Sequence, residues 1–220
     1  MRLYFYRTPA WLRWCYPNRI WRIDTQERVL YLTFDDGPHP TATPFVLDTL
    51  ARFQAKATFF CIGQNVLRYP ALYQRILDEG HQVGNHTHRH VNGWKTTDAA
   101  YVADVQEAAG CFSSHLFRPP YGKLRSAQAR AVRSLLKAHP TQANAALPQQ
   151  SRIVMWDLLS GDFDTRRSGA ECFSICKERL RPGSIIVMHD SEKAWPRLSV
   201  ALPLLMEYAL QQGYSFAAIE

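Results

Sequence analysis

Cysteine is scarce in this chain: Cys15, Cys61, Cys111, Cys172 and Cys176 are an odd number and match no zinc-ribbon spacing. A disulfide framework is therefore not what stabilises it, and free thiols in a reducing compartment are expected. Cys172 and Cys176 stand four apart on the apolar side of an expected helix, where thiols behave as small hydrophobes. Glycine and proline number 11 and 13 in 220 residues, too few for collagen or a linker-rich chain. No apolar run approaches the length that spans a bilayer. Arg7, Arg13, Arg19 and Arg22 interrupt the N-terminus, which reads as neither a cleavable signal nor an anchor. A cytoplasmic protein is expected, with loose attachment to a membrane face open to the N-terminal Arg/Trp/Tyr mixture.

Acidic residues are also missing from two stretches. Residues 1–23 carry Arg2, Arg7, Arg13, Arg19 and Arg22 and no acid; residues 108–156 carry Arg118, Lys123, Arg125, Arg130, Arg133, Lys137 and Arg152 and no acid. Such segments suit phosphate, anionic lipid or an acidic glycan, and a solvated helix face plus one functional arginine is the simpler reading. No motif or aromatic interleaving supports a nucleic-acid partner. Hydrophobic residues make up 46% and charged residues 20% of the chain, as in folded globular proteins. At this length roughly 70% of the unfolded surface is buried on folding, so no metal is needed to hold the core.

A strand–helix rhythm starts at Val29–Phe34. Thr43 as N-cap and Pro44 as first helical residue open a helix with Val46, Leu47, Leu50 and Phe53 on one face. Strands follow at Ala57–Ile62, His81–Asn85, Leu116–Arg118, Ile153–Asp157, Ser184–His189 and Tyr214–Ile219. Between them lie helices through Leu72–Leu77, ended by Gly80, from Thr97 to Gly110, from Ser126 to Ala138, from a capping box at Ser168–Glu171 to Leu180, and from Leu198 to Gln212. Pro140–Gln150 reads as a polar loop. About seven strands alternating with helices predict a parallel α/β sheet, open or closed as a barrel, in a single domain spanning 29–220. Residues 1–28 are expected to pack on it.

Polar residues gather where these strands end, the side on which parallel α/β folds build active sites. The first ends in Asp35-Asp36-Gly37-Pro38, the third in His86-Thr-His-Arg-His90, the fourth in Arg118-Pro-Pro-Tyr121, and the sixth in His189-Asp190. The fifth leads to Asp157 and Asp162. His86 and His90, with one carboxylate, make a His₂Asp set suited to catalytic zinc. Of two adjacent carboxylates, one binding the metal leaves the other as a base. Arg118, stiffened by two prolines, can hold a carboxylate bidentately. Asp162 can sustain His189 as an imidazolium proton donor. His39, His81, His88, His115 and His139 read as structural, with His88 a lesser metal candidate.

In this order, Thr33–Gly37, His86–His90, Arg118–Gly122, Leu159–Phe163 and Ile185–His189 resemble the five motifs of the NodB-homology polysaccharide deacetylases, carbohydrate esterase family 4. The resemblance covers about residues 29–219 and implies a distorted, incomplete (β/α)7-type barrel. It further implies Asp35 as base and Asp36, His86 and His90 as ligands to a divalent metal, zinc foremost, with cobalt, nickel or manganese as alternatives. Arg118 would orient the base, the Tyr121 backbone N–H would serve the oxyanion, and His189 would be the acid tuned by Asp162. The implied reaction is hydrolysis of the N-acetyl group of an amino sugar or polysaccharide of peptidoglycan or chitin type.

Three positions depart from the family pattern. Leu159 stands where the first Asp of the fourth motif would be. Phe163 and Val187 replace a Trp and a Leu that line the family's acetyl pocket; with Pro120 they are the substrate-binding candidates. Rival readings are an amidohydrolase acting on a lipid-linked sugar or other small molecule, and a catalytically idle glycan-binding module.

Overall fold

The computed structural model describes residues 4–137 and 151–220. The predicted loop 140–150, with His139 and the last residue of the predicted helix from Ser126, lies outside them. Eight strands, all paired in parallel, form one sheet: β1 (Val29–Asp35), β2 (Thr58–Cys61), β3 (Gln82–Asn85), β4 (Leu116–Phe117), β5 (Arg152–Ile153), β6 (Leu158–Leu159), β7 (Ile185–His189) and β8 (Ser215–Phe216). Their order is β5-β4-β3-β2-β1-β7-β6, with β8 joined to the start of β1 through Val29 and Leu30. The sheet curls into a half-barrel in a single domain, as expected. The helices are α1 (Ala10–Cys15), α2 (Ala42–Arg52), α3 (Gly63–Arg68), α4 (Pro70–Asp78), α5 (Asp98–Cys111), α6 (Ser126–Lys137), α7 (Gly169–Lys177) and α8 (Trp195–Gln211).

Alternation along the central strands sorts the side chains. Leu30, Leu32, Phe34, Phe59, Ile186 and Met188 face outward and share one apolar cluster with α2 and α8. Phe60, Leu116, Val154, Ile185 and Ile219 fill the barrel interior. Thr33, Asp35, Val187 and His189 follow the inward alternation toward the mouth, so the strand period itself aims polar groups there.

The half-barrel is open between β5 and β6, and the N-terminal segment fills the opening. Ile20 bridges Val154 in parallel and Arg7 bridges Leu158 antiparallel. Backbone bonds run from Met155 N to Ile20 O (2.7 Å) and from Leu159 N to Tyr6 O (2.7 Å). Strand edges that would be left unpaired are thereby covered.

Several expected boundaries differ. The run Ile153–Asp157 is not one strand: the chain leaves β5 after Ile153 and re-enters the sheet as β6 on its other side, so the strands among the described residues number eight. Asp157 consequently sits at the N-terminal end of β6, away from the mouth. Its buried carboxylate takes hydrogen bonds from Arg181 and from Ser184 (2.8 Å). Helix α2 begins one residue before Thr43, because His39 Nδ1 accepts the backbone N–H groups of Thr41 and Ala42 (3.3 and 3.2 Å). Helix α3 was not anticipated, α8 starts three residues before Leu198, and β8 keeps only two residues of Tyr214–Ile219. The capping box forms as expected, with Ser168 and Glu171 bonded reciprocally.

Candidate active site

Asp35 ends β1, and the fold surrounds it with fixed donors. Arg118 Nη1 donates to Asp35 Oδ1 and to Thr33 Oγ1, both at 2.7 Å. The rest of the guanidinium is spent on backbone: Nη2 to Met155 O (2.8 Å) and Nε to Val154 O (3.3 Å). The expected bidentate clamp is therefore a single-point contact, because two carbonyls at the β5–β6 crossing take the other donors. Arg118 is 0% exposed, and its guanidinium lies 4.0 Å over the Phe60 ring. A cation buried this deeply costs several kcal/mol unless paired. The Asp35 carboxylate, the carbonyls and the aromatic face together offset that cost.

Asp36, His86 and His90 converge. One ligand atom from each lies within 4.8 Å of the others. Asp36 Oδ1 stands 3.2 Å from His90 Nε2 and 3.7 Å from His86 Nε2. Among the described residues, this buried oxygen has no hydrogen-bond partner. His86 Nδ1 lies 2.8 Å from the Arg118 carbonyl. A carbonyl can only accept, so Nδ1 carries the proton and Nε2 offers its lone pair inward. Burial lowers the His86 pKa to about 4, which keeps the ring neutral, as a metal ligand requires. Burial alone would raise the Asp36 pKa; the close approach of His90, with His189 and His86 behind it, reverses this and holds the carboxyl well below the usual range. His90 Nδ1 rests 3.1 Å from the Tyr121 hydroxyl.

An orphaned buried carboxylate oxygen beside two imidazole nitrogens, one fixed in the ligating tautomer, fits a divalent cation. His88, the lesser candidate, does not join them. Its Nε2 pairs with Glu107 (3.3 Å) and its Nδ1 faces Cys111, both on α5.

His189 ends β7 directly beside Asp35, the two being register partners across the β1–β7 ladder. Both oxygens of buried Asp162 hold it: Oδ2 accepts from His189 N (2.7 Å) and Oδ1 meets Nδ1 (2.8 Å). Arg197 Nε in turn donates to the Asp162 carbonyl (2.6 Å). Burial disfavours the imidazolium, but the Asp162 charge and hydrogen bond outweigh it and raise the His189 pKa to about 10.

Phe163 packs edge-on against His189 (centroids 5.5 Å) and also meets Tyr4 of the N-terminal segment (5.1 Å). Val187 lies two residues before His189 on the same strand side, 1% exposed, and Pro120 is buried next to Tyr121. Asp36, Thr87, His90 and Tyr121 all have positive φ, at 81°, 66°, 57° and 59°. Of the non-glycine residues with positive φ, only Gln54 (49°) lies elsewhere, so backbone strain gathers here, as it does at functional sites.

Three residues gain a part in the site only from the structure. Asp190 is fully buried, accepts from Gly37 N (3.1 Å) and Thr43 Oγ1 (2.5 Å), and is pushed up to about 8 by burial. It anchors the turn that carries Asp36. Asn65 of α3 donates to the Asp36 carbonyl (2.7 Å), and Thr33 braces Arg118. Position at a strand end was a signal for Asp190; for Asn65 there was none, since α3 itself was not foreseen.

A sequence profile of the polysaccharide deacetylases matches residues 22–141. The chain belongs to that family. It is 30% identical over 205 residues to a peptidoglycan-N-acetylglucosamine deacetylase of Bacillus cereus, covering 90% of each chain. It is 32% identical over 177 residues to a chitooligosaccharide deacetylase of Azorhizobium caulinodans, covering 77% of each. Some relatives are longer: it is 34% identical over 203 residues to the peptidoglycan-N-acetylglucosamine deacetylase PgdA of Listeria monocytogenes, but spans only 39% of it. Among solved structures it resembles the Bc1960 peptidoglycan N-acetylglucosamine deacetylase with a TM-score of 0.80 and 25% identity, covering 96% of this chain and 95% of that one. The NodB-homology, carbohydrate esterase family 4 resemblance read from the five motifs is thus established, and with it the class of enzyme: a deacetylase that hydrolyses N-acetyl amides.

Proposed function

We propose that this polysaccharide deacetylase removes acetyl groups from the amino sugars of an N-acetylated glycan of peptidoglycan or chitin type. The observation that carries the reading is the juxtaposition at one mouth of a clamped carboxylate (Asp35), an Asp–His–His cluster with an orphaned oxygen, and a carboxylate-backed imidazolium (His189). The relatives named for peptidoglycan and chitooligosaccharide support the substrate class.

Asp36, His86 and His90 would hold a divalent cation, zinc foremost. When bound it supplies Lewis-acid polarisation of the acetamide and a lowered water pKa. The protein's own groups do the rest. Asp35 accepts a proton from the attacking water: Arg118 holds Oδ1, leaving Oδ2 on the side of the cluster, 4.0 Å from His86 Nε2. The Tyr121 backbone N–H donates to the developing oxyanion. His189 gives its proton to the departing amine, with Asp162 fixing the ring and stabilising the charge before transfer. Acetate and a free amino sugar leave. Phe163, Val187 and Pro120 surround the acetyl methyl.

Against the idle-module alternative, the pairings of Asp35 with Arg118 and of Asp162 with His189 support this reading. The test is mass spectrometry of products from metal-loaded protein with a panel of N-acetylated glycans and lipid-linked sugars. A loss of acetyl mass from a glycan polymer or oligomer is expected. Deacetylation confined to lipid-linked or small-molecule amides would replace this reading with the rival one.

A further inference from the structure

Exposed large apolar side chains concentrate in one short segment. Phe5 (64% exposed), Trp11 (59%), Trp14 (84%) and Tyr16 (37%) lie within twelve residues of the N-terminus's described part, whereas the other exposed large hydrophobics are scattered through the chain. The segment is not loose. Its backbone pairs with β6 and with Val154, and Leu12 packs into the cluster that holds Trp21, Tyr101 and Leu136. Leu12 faces inward and Trp11 and Trp14 face outward, so the short α1 presents its indoles to solvent from a rigid support. An apolar patch of this kind on a well-packed body marks an interaction surface.

Its electrostatic surroundings say with what. The two stretches without acid meet here: Arg133 of α6 donates to the Asn18 carbonyl, and the Arg19 guanidinium stacks on the Tyr16 ring at 4.2 Å. Arg130 stands one turn before Arg133 and is exposed. Of the 26 basic residues, twelve fall in these two stretches, and none of the 19 acidic ones does. Indoles and a phenyl ring standing out among arginines, with no carboxylate in the segment, match the composition that seats in the headgroup region of a bilayer. Among the described residues no helix is long and apolar enough to cross a membrane, so the contact is with a surface.

We propose that the indoles of Trp11 and Trp14 on α1, with Tyr16 and Arg19 after them and the exposed Arg130 of the neighbouring α6, dock the protein on an anionic membrane surface. This does not depend on the catalytic reading, and its test needs no turnover. The full chain is sedimented with vesicles of phosphatidylglycerol and phosphatidylcholine, and with phosphatidylcholine alone, while tryptophan emission is followed. Binding to the anionic vesicles, a blue shift, and release by high salt are expected.

Trp11→Ser/Trp14→Ser should weaken binding by at least about tenfold and abolish most of the blue shift. Arg130→Gln should weaken it roughly fivefold. These side chains are exposed, so an unchanged thermal melt shows that the variants fold. Protein that stays in the supernatant with anionic vesicles at low salt overturns the proposal, as does binding that the tryptophan variant leaves intact. Two further results would do the same by naming another occupant. One is self-association in gel filtration that the double variant abolishes, without vesicle binding; the other is retention by an acidic polysaccharide in place of vesicles.

Discussion

Asp35 and Asp36 are neighbours in sequence and opposites in setting. Asp35 ends a strand, 4% exposed, with Arg118 on one oxygen; Asp36 has a left-handed backbone and points an unpartnered oxygen at two imidazoles. The two should separate cleanly on mutation. Asp35→Asn should retain the bound divalent ion yet lose about 10²–10⁴-fold in kcat, since an amide cannot accept the proton. Asp36→Asn should lose the ion itself, read as metal content after dialysis. The reverse pattern would exchange the two roles.

Asp157 gives a pH prediction away from the site. Burial opposes its charge, but Arg181 and Ser184 hold its carboxyl below the usual range. A folded-state pKa below the unfolded one means that this stabilisation is present above about pH 4 and is lost as pH falls through the folded value. Asp157→Asn should therefore cost roughly 1.5–3 kcal/mol near neutrality and flatten the acid limb of a stability–pH curve measured by urea titration. A variant with an unchanged acid limb would show that the pair contributes nothing to acid sensitivity.

At the scale of elements, glycines report how the N-terminal segment is joined to the sheet. Gly183, just before β7, has φ +76°, and a Cβ there would fall 1.8 Å from the Ile23 carbonyl oxygen. Ile23 N donates to Gly183 O (2.9 Å), so the close approach is the joint itself. Gly110, near the end of α5, has no atom within 4 Å of such a Cβ. Substitution by alanine should act in opposite directions. Gly183→Ala should lower Tm by several degrees, through at least 1–2 kcal/mol of backbone strain plus the clash. Gly110→Ala should raise stability by about 0.5–1 kcal/mol, because alanine loses less entropy in a helix. Equal effects in thermal melts would mean that residues 20–23 can shift without cost.

The proposed acyl pocket draws on distant parts of the molecule: Val187 from β7, Phe163 from the turn after β6, Pro120 from the loop after β4, with Tyr4 packed on Phe163. Both Phe163 and Val187 are smaller than the residues the family pattern has there. An additional methylene in an apolar pocket is worth roughly 1–3 kcal/mol of discrimination. The ratio of kcat/KM for a propionyl over an acetyl substrate should fall in the Phe163→Trp/Val187→Leu variant. If the ratio stays the same, these side chains do not face the acyl group. Tyr4 packs on the Phe163 ring (5.1 Å), so Tyr4→Ala, which frees that ring to move, should raise the ratio.

Much of this was legible without coordinates. The alternation of β-rich runs and helices specifies a parallel sheet, and parallel strands place their C-terminal ends together, so Asp35, His86, Arg118 and His189 had to share one end of the fold. The five spaced motifs carried the family. What the sequence could not decide is whatever depends on two distant segments meeting. Asp162 is marked by its motif but Asp157 is not: the two flank β6 and so lie at opposite ends of the sheet, where one meets Arg181 and the other His189. The partners of Arg118 are carbonyls at the β5–β6 crossing. Asp190 and Asn65 support Asp36 through backbone groups, which leave no trace in residue type. Short-range periodicity fixes what a strand presents, and only tertiary packing determines which polar group it will find opposite.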